Sequence, residues 1–311
     1  MSVNVLFAGS PSAWEAYRAP LRAACDRAGV AVQLAPNHPP EETDYIVYGT
    51  GCEIEDFSPF VRTKAVLRLW AGVEGIVKNP TLTQPLARMV GGGLDEGMVE
   101  WVTGHVLRHH LGMDAHILGQ DGVWPNKICP PLARDRKVTI LGIGALGGAC
   151  ARALASLGFQ VTGWSRSQKD IAGVRCLSGA EGLDQALEGA EILVLLVPLT
   201  ATTENLIDAR TLGLLAPGAF VINPGRGALI DDAALLAALD SGQVAHATLD
   251  VFRTEPLPPE DPYWAHPKVT VTPHIASETR VDAAAEVVAE NIRRGEAGEP
   301  FLHLVDRTLG Y

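Results

Sequence analysis

Cysteine is scarce in this chain, and none of it is paired by spacing. Cys25, Cys52, Cys129, Cys150 and Cys176 are scattered through 311 residues without a CxxC, which argues against a disulfide framework or a thiolate metal site. Reduced, partly buried thiols suit the cytoplasm, the expected location. A basic block is missing too. The 25 lysines and arginines face 36 acidic residues, a formal net charge of −11, so no nucleic-acid partner is expected. The longest strongly apolar run, 192–199, is broken by Pro198 and far too short to span a bilayer, so no membrane partner is expected either. The opening MSVNVLFAG carries no basic segment and reads as a strand, not a signal peptide. Internal repeats of about 20–50 residues are absent.

The 47% hydrophobic content is enough for two cores, and two domains are expected. Residues 137–167, KVTILGIGALGGACARALASLGFQVTGWSRS, organise the rest. A strand rich in β-branched residues is expected over 138–141, a helix over 149–157 ended by Gly158, and a second strand over 160–164. Between the first strand and the helix lies Gly142-Ile143-Gly144-Ala145-Leu146-Gly147. In that setting the three glycines have separate jobs: a tight turn at Gly142, close approach of a pyrophosphate at Gly144, and close helix–strand packing at Gly147. The free N–H groups at the helix start face the phosphates. A glycine-rich turn alone is weak; between a strand and a helix it indicates a dinucleotide site.

An NAD site usually places Asp or Glu at the end of the second strand, about 20 residues past the glycines, for the ribose 2′-hydroxyl. Here Trp164 is followed by Ser165, Arg166 and Ser167, with Lys169 close behind. A guanidinium binds a 2′-phosphate in a fork and serines donate to it, whereas a carboxylate repels it. Hydrogen bonds to charged groups contribute about 1.5–3 kcal/mol each, so one or two set a preference of roughly tenfold to a thousandfold. The expected cofactor is NADP(H), with NAD(H) accepted at lower affinity. A solvated basic turn is the plain alternative.

Residues 1–97 alternate strands (3–7, 30–34, 45–48, 65–70) with helices (12–28 and a short one over 57–63), a parallel α/β pattern without a phosphate fingerprint. The turn after its last strand, Ala71-Gly72-Val73, offers N–H groups that suit a carboxylate, or is simply a strand-to-helix turn. A long helix over 96–113 bridges into the second domain. His105 and His109 lie four apart on it, as in a helical zinc pair, but Val106 stands where a metalloprotease has glutamate; core packing or a subunit contact is the better account, and no metal is expected. Residues 119–134, with Trp124, form an irregular excursion suited to covering a neighbouring subunit. Beyond the nucleotide unit, helices are expected over 183–187, 208–215, 231–241 and 281–294, with the last returning to the first domain. Strands are expected over 191–196, 219–223, 247–251 and 269–271. The strand over 191–196 opens into Val197, Pro198, Leu199 and then Thr203, near where a nicotinamide would lie.

Three strand ends of the second domain deliver charged or titratable residues: Asn223-Pro224-Gly225-Arg226, then Asp250 and Glu255, then His274. Singly each has a dull reading: a surface ion pair, a solvated loop acid, a core histidine. Together they occupy the carboxyl ends of one nucleotide-binding sheet, where ligands bind. His266 competes with His274 as the titrating group but precedes its strand, at the wrong end of the sheet.

At these residues the chain resembles the D-2-hydroxyacid dehydrogenases, most closely those of the glyoxylate/hydroxypyruvate reductase A type. The resemblance runs through GIGALG, WSRS, LVPLT, NPGRG, LDVFRTEPLPPEDPYWAHP, TPHIAS and the terminal VDRTLGY; Pro224 is unusual within the arginine loop. It implies an α/β fold of two doubly wound parallel-sheet domains with a cleft between them. A flavodoxin-like substrate domain would cover 1–97 plus 280–311 and a Rossmann-type nucleotide domain 98–279, usually in a homodimer. It implies that Arg226 binds the substrate carboxylate and carbonyl, that His274 is the acid–base group paired with Glu255, and that Asp250 bonds the nicotinamide amide. The chemistry agrees. A planar guanidinium grips a 2-keto acid's carboxylate and polarises its ketone, and an imidazolium favoured by an adjacent carboxylate protonates the oxygen. The expected substrates are small 2-keto acids, glyoxylate and hydroxypyruvate, with Tyr48, Trp70 and Trp124 as candidate pocket residues. Alternatives are a sibling dehydrogenase acting on phenylpyruvate, phosphoglycerate or formate, or a nucleotide-sensing, corepressor-like binding protein. For phosphoglycerate, a C-terminal regulatory domain and extra basic residues near Gly72 would be expected, and neither is expected here.

Overall fold

The structure is a computed structural model that describes residues 2–91, 93–119, 122–124, 129–308 and 310. It divides into two compact units, Met1–Leu94 with Glu278–Tyr311, and Asp95–Ser277. The crossings thus fall at 94/95 and 277/278, each two or three residues before the expected 97/98 and 279/280.

The first unit opens with β1 (Val3–Ala8), α1 (Pro11–Arg27), β2 (Val32–Ala35), β3 (Tyr45–Tyr48), β4 (Ala65–Arg68) and β5 (Leu86–Ala87). Its sheet runs β2-β1-β3-β4-β5, with every named strand pair parallel. Ser10 caps α1 by accepting from Ala13 N at 3.2 Å, and Pro11 takes the first helical position, where no N–H is needed. Tyr17, Leu21, Ala24 and Cys25 recur at helical spacing and are buried.

The second unit holds α2 (Leu94–Leu111), α3 (Met113–Leu118), β6 (Lys137–Leu141), α4 (Ala145–Ser156), β7 (Gln160–Ser165), β8 (Val174–Ser178), α5 (Gly179–Leu187) and β9 (Ile192–Leu195). It continues with α6 (Ala209–Leu212), β10 (Ala219–Asn223), α7 (Asp232–Ser241), β11 (Val244–Leu249), α8 (Pro262–Ala265) and β12 (Val269–Val271). The chain then returns to the first unit as α9 (Val281–Ala297), which packs along α1. The second sheet is ordered β12-β11-β10-β9-β6-β7-β8, again all parallel, so its direction of winding reverses between β6 and β9. Ligands of doubly wound sheets bind at that reversal, outside the carboxyl ends of the strands. β9, Ile-Leu-Val-Leu, is buried at every position, as a central strand covered on both faces requires.

Several local expectations need correction. Residues 57–63 form two successive turns, Phe60 N to Phe57 O and Thr63 N to Phe60 O, and no helix. Pro59 withholds one N–H, and buried Phe57 and Phe60 pin the segment. The nucleotide helix begins at Ala145, not 149, because packing outweighs the poor helix propensity of Gly147 and Gly148. The 208–215 helix shortens to α6, started by a reciprocal Asp208–Thr211 capping box. The strands β5 and β8 and the helices α3 and α8 had no sequence signal strong enough to place them. The excursion over 119–134 lies partly outside the described residues, as do Leu309 and Tyr311 of the terminal motif.

On α2, Met98, Val102 and Val106 enter the core of the nucleotide unit. His109 is buried, stacks on Phe220 with centroids 4.6 Å apart, and shares a hydrogen bond with Thr248 Oγ1 at 2.9 Å. His105 lies against Trp101, 4.2 Å between centroids. Among the described residues, no group of three or more His, Cys, Asp or Glu is placed to hold a metal, and no helix is long and apolar enough to cross a membrane.

Burial pushes His109 down to about 3, helped by His246 and Arg108 nearby. The unfolded ring, titrating near 6.5, therefore takes up a proton first. The stability this neutral ring supports is fully present above about pH 6.5 and lost as pH falls toward the folded value, at about 1.4 kcal/mol per pH unit. His109→Phe keeps a ring on Phe220 and removes the titration. Melting temperature followed from pH 7 to 4.5 should fall less in the variant than in wild type; parallel curves would contradict this account.

Candidate active site

The glycine turn leaves β6 at the winding reversal. Gly142 has φ +101°, a left-handed region that disfavours side chains. A Cβ on Gly147 would sit 1.8 Å from the Gly142 carbonyl oxygen, so only glycine lets α4 approach this closely. A Cβ on Gly144 would meet nothing within 4 Å. Gly144 is the N-cap of α4 and supplies no side-chain cap, so the N–H groups of Ala145, Leu146 and Gly147 begin the helix beside open space. Uncapped donors, a positive helix end and no Cβ in the way fit a pyrophosphate.

At the end of β7, Trp164 Nε1 donates to Gly179 O at 2.8 Å, and Ser165 Oγ donates to Ser167 O at 2.7 Å, shaping the turn. Arg166, Ser167 and Lys169 are exposed along it, and no carboxylate stands at the strand end itself. Beyond β9, Val197 is buried while Pro198 and Leu199 are half-buried. Thr203 folds that loop back, its hydroxyl donating to Pro198 O at 2.6 Å and accepting from Thr200 N at 2.8 Å.

β10, β11 and β12 are neighbours, and each ends in a candidate residue. After β10, buried Asn223 ties its own loop: Nδ2 donates to Arg226 O at 3.0 Å, and Oδ1 accepts from Gly225 N at 3.0 Å. Pro224 and Gly225 are buried, and half-buried Arg226 extends from that clamp with Nη1 donating to Gly225 O at 2.7 Å. After β11, Asp250 is fully buried. Its carboxylate accepts from Thr272 Oγ1 at 2.5 Å, Ile275 N at 2.9 Å and Ala276 N at 2.8 Å. The residue expected at the nicotinamide amide thus spends its carboxylate on the turn after β12. On that turn His274, at φ +56°, puts Nδ1 2.7 Å from Glu255 Oε2. Glu255 is itself oriented, because Phe252 N donates to its Oε1 at 2.8 Å. His266 lies at the amino end of β12, 3.5 Å from Asp240.

Ala71, Gly72 and Val73 belong to the first unit, in the turn after β4. Buried Val73 anchors it by accepting from Ile76 N at 3.0 Å. In the same unit Tyr48 lies under the Arg68 guanidinium, 5.5 Å from ring centroid to Cζ. Trp124 is 88% exposed. Sequence reasoning missed the anchors Thr272, Phe252 N–H and Arg253. Two are an ordinary hydroxyl and a main-chain group, which carry no motif; Arg253 was visible inside DVFRTEP but had no chemistry of its own to flag it.

The profile of the D-isomer specific 2-hydroxyacid dehydrogenase NAD-binding domain matches residues 103–276. The chain is 41% identical over 258 residues to glyoxylate/hydroxypyruvate reductase A of Serratia proteamaculans, covering 80% of this chain and 82% of the relative. Among solved structures it is similar, over all of both chains, to a D-isomer specific 2-hydroxyacid dehydrogenase from Xanthobacter autotrophicus Py2 in complex with NADPH and MES, at TM-score 0.92 and 39% identity. It is also similar, again over all of both chains, to the NADPH-dependent glyoxylate/hydroxypyruvate reductase of Sinorhizobium meliloti in complex with NADP and sulfate, at TM-score 0.87 and 36% identity.

The glycine geometry separates two variants. Gly144→Val should melt like wild type yet lose dinucleotide binding in a fluorescence titration, while Gly147→Ala should melt lower. Unimpaired binding by Gly144→Val would contradict the assignment of that open space.

Proposed function

The chain belongs to the D-isomer-specific 2-hydroxyacid dehydrogenases, and from that premise we propose that it reduces glyoxylate and hydroxypyruvate to glycolate and D-glycerate with NADPH. The observation that carries this reading is the Glu255–His274 pair on strand ends next to the Arg226 loop, in the sheet whose β6 holds the glycine turn. When bound, the nicotinamide supplies the hydride.

Arg226 grips the carboxylate of the keto acid and polarises its ketone, with its backbone fixed by Asn223. Glu255 takes the Nδ1 side of the His274 ring, so Nε2 is the nitrogen that gives a proton to the ketone oxygen. After that transfer the ring is neutral, with its remaining proton on Nδ1 toward Glu255. The N–H groups of the 71–73 turn, in the first unit, suit a carboxylate. Arg166, Ser167 and Lys169 receive the 2′-phosphate on the turn that Ser165 shapes, with NADH used less well for want of it. The neighbours from Xanthobacter and Sinorhizobium, in complex with NADPH and NADP, support that preference. Exposed Ile117, Leu118, Val123, Trp124 and Leu132 support a homodimer, since so many large apolar side chains in one segment seek cover.

Oxidation of NADPH with glyoxylate, compared with NADH and a panel including phenylpyruvate, tests the reading; failure with both small keto acids would end it. Arg226→Lys should lose more than about tenfold in kcat/KM, because the fork is gone. Glu255→Gln leaves the His274 ring without its carboxylate partner, so kcat for glyoxylate reduction should drop more than about tenfold. Wild-type turnover would contradict the pairing.

A further inference from the structure

The turn that carries Glu255 is held by contacts that the motif chemistry does not explain. Arg253 Nε donates to Asp232 Oδ2 at 2.7 Å, at the first turn of α7. Its Nη2 donates to both Asn205 Oδ1 and Ile230 O, and its Nη1 lies 3.9 Å from Glu204. Tyr263, buried on α8, donates its hydroxyl to the other Asp232 oxygen at 2.9 Å. Asp232 is thus engaged at both oxygens, and one guanidinium joins three segments.

Packing alone does not fix this turn. A cavity of about 320 Å³ lies against it, lined among others by Leu236, Leu249, Val251, Phe252, Leu257 and Tyr263, so there is room for the turn to relax if the polar contacts go. Two residues beyond Arg253, Glu255 makes its bonds to Phe252 N and His274 Nδ1. Two residues before Asn205, Thr203 shapes the loop expected beside the nicotinamide.

We propose that Arg253 is a positioning residue: it holds the 252–255 turn in register so that Glu255 meets His274, and it ties that turn to the loop at Glu204 and Asn205. The inference rests on the acid–base reading of His274. The charged groups facing this assembly are Glu255 at the ring, the Asp250 carboxylate beneath the His274 turn, Arg226 on the neighbouring strand end, and Asp232, Glu204 and Asp261 around Arg253 and Tyr263. A guanidinium donating in three directions cannot be replaced by a single ammonium.

The NMR resonance of the His274 Nδ1 proton in its hydrogen bond to Glu255, followed in wild type, Arg253→Gln, Glu255→Gln and the double variant, reads the coupling without turnover. That resonance in Arg253→Gln should move from its wild-type position toward that of Glu255→Gln, and the double variant should move no further than Glu255→Gln alone. With glyoxylate, kcat of Arg253→Gln should drop about 10- to 100-fold, the scale of a misplaced catalytic group, while KM changes little. Arg253→Lys should lie between. A wild-type resonance in Arg253→Gln, or a further shift in the double variant, overturns the proposal. Should Arg253→Gln fail to fold, Asp232→Asn is held to the same criteria. Shifted resonances without any wild-type turnover would instead overturn the functional reading and leave the coupling standing.

Discussion

A carboxylate with no access to water ties the carboxyl end of the seven-stranded sheet together. Asp250 leaves β11, and its side chain accepts a hydroxyl and two backbone N–H groups from the segment following β12. A buried carboxylate is costly unless it is hydrogen-bonded, and three donors meet it here. In return the turn cannot drift, and His274 is held at a positive φ that a free loop would avoid. The same logic repeats one strand over, where the buried amide of Asn223 clamps the arginine loop. The candidate side chains at the strand ends are thus aimed by buried polar groups just beneath them.

Parallel pairing does the rest. Because all seven strands run the same way, their carboxyl ends share one edge of the sheet, and residues far apart in sequence arrive together. The exposed ion pairs, such as Arg18 with Glu15 on α1, contribute little by comparison, since solvent screens them.

Much of this was legible from residues alone. The β-branched runs of β3, β6, β9 and β10 announced themselves, because a strand covered on both faces has only apolar positions. Gly142, Gly144 and Gly147 were legible because each answers a different steric demand. Arg226, Glu255 and His274 stood out once three strand ends were read side by side. What stayed hidden was of two kinds. Short elements such as β5 and α8 exist because neighbours hold them, and two to four residues carry no usable period. The anchors Thr272 and Phe252 N–H, and the burial of Asp250, follow from which loops meet in space, and that is fixed only by the assembled sheet.

The central claim is that Arg226 and His274 act on one 2-keto acid, the first on its carboxylate and the second on its ketone oxygen. A crystal structure of the ternary complex with NADP+ and oxamate, an unreduced mimic of glyoxylate, tests this most directly. The account predicts the oxamate carboxylate within hydrogen-bond reach of the Arg226 guanidinium and its amide oxygen at His274 Nε2. Oxamate bound away from either side chain, or His274 Nδ1 turned from Glu255 toward the ligand, would contradict it.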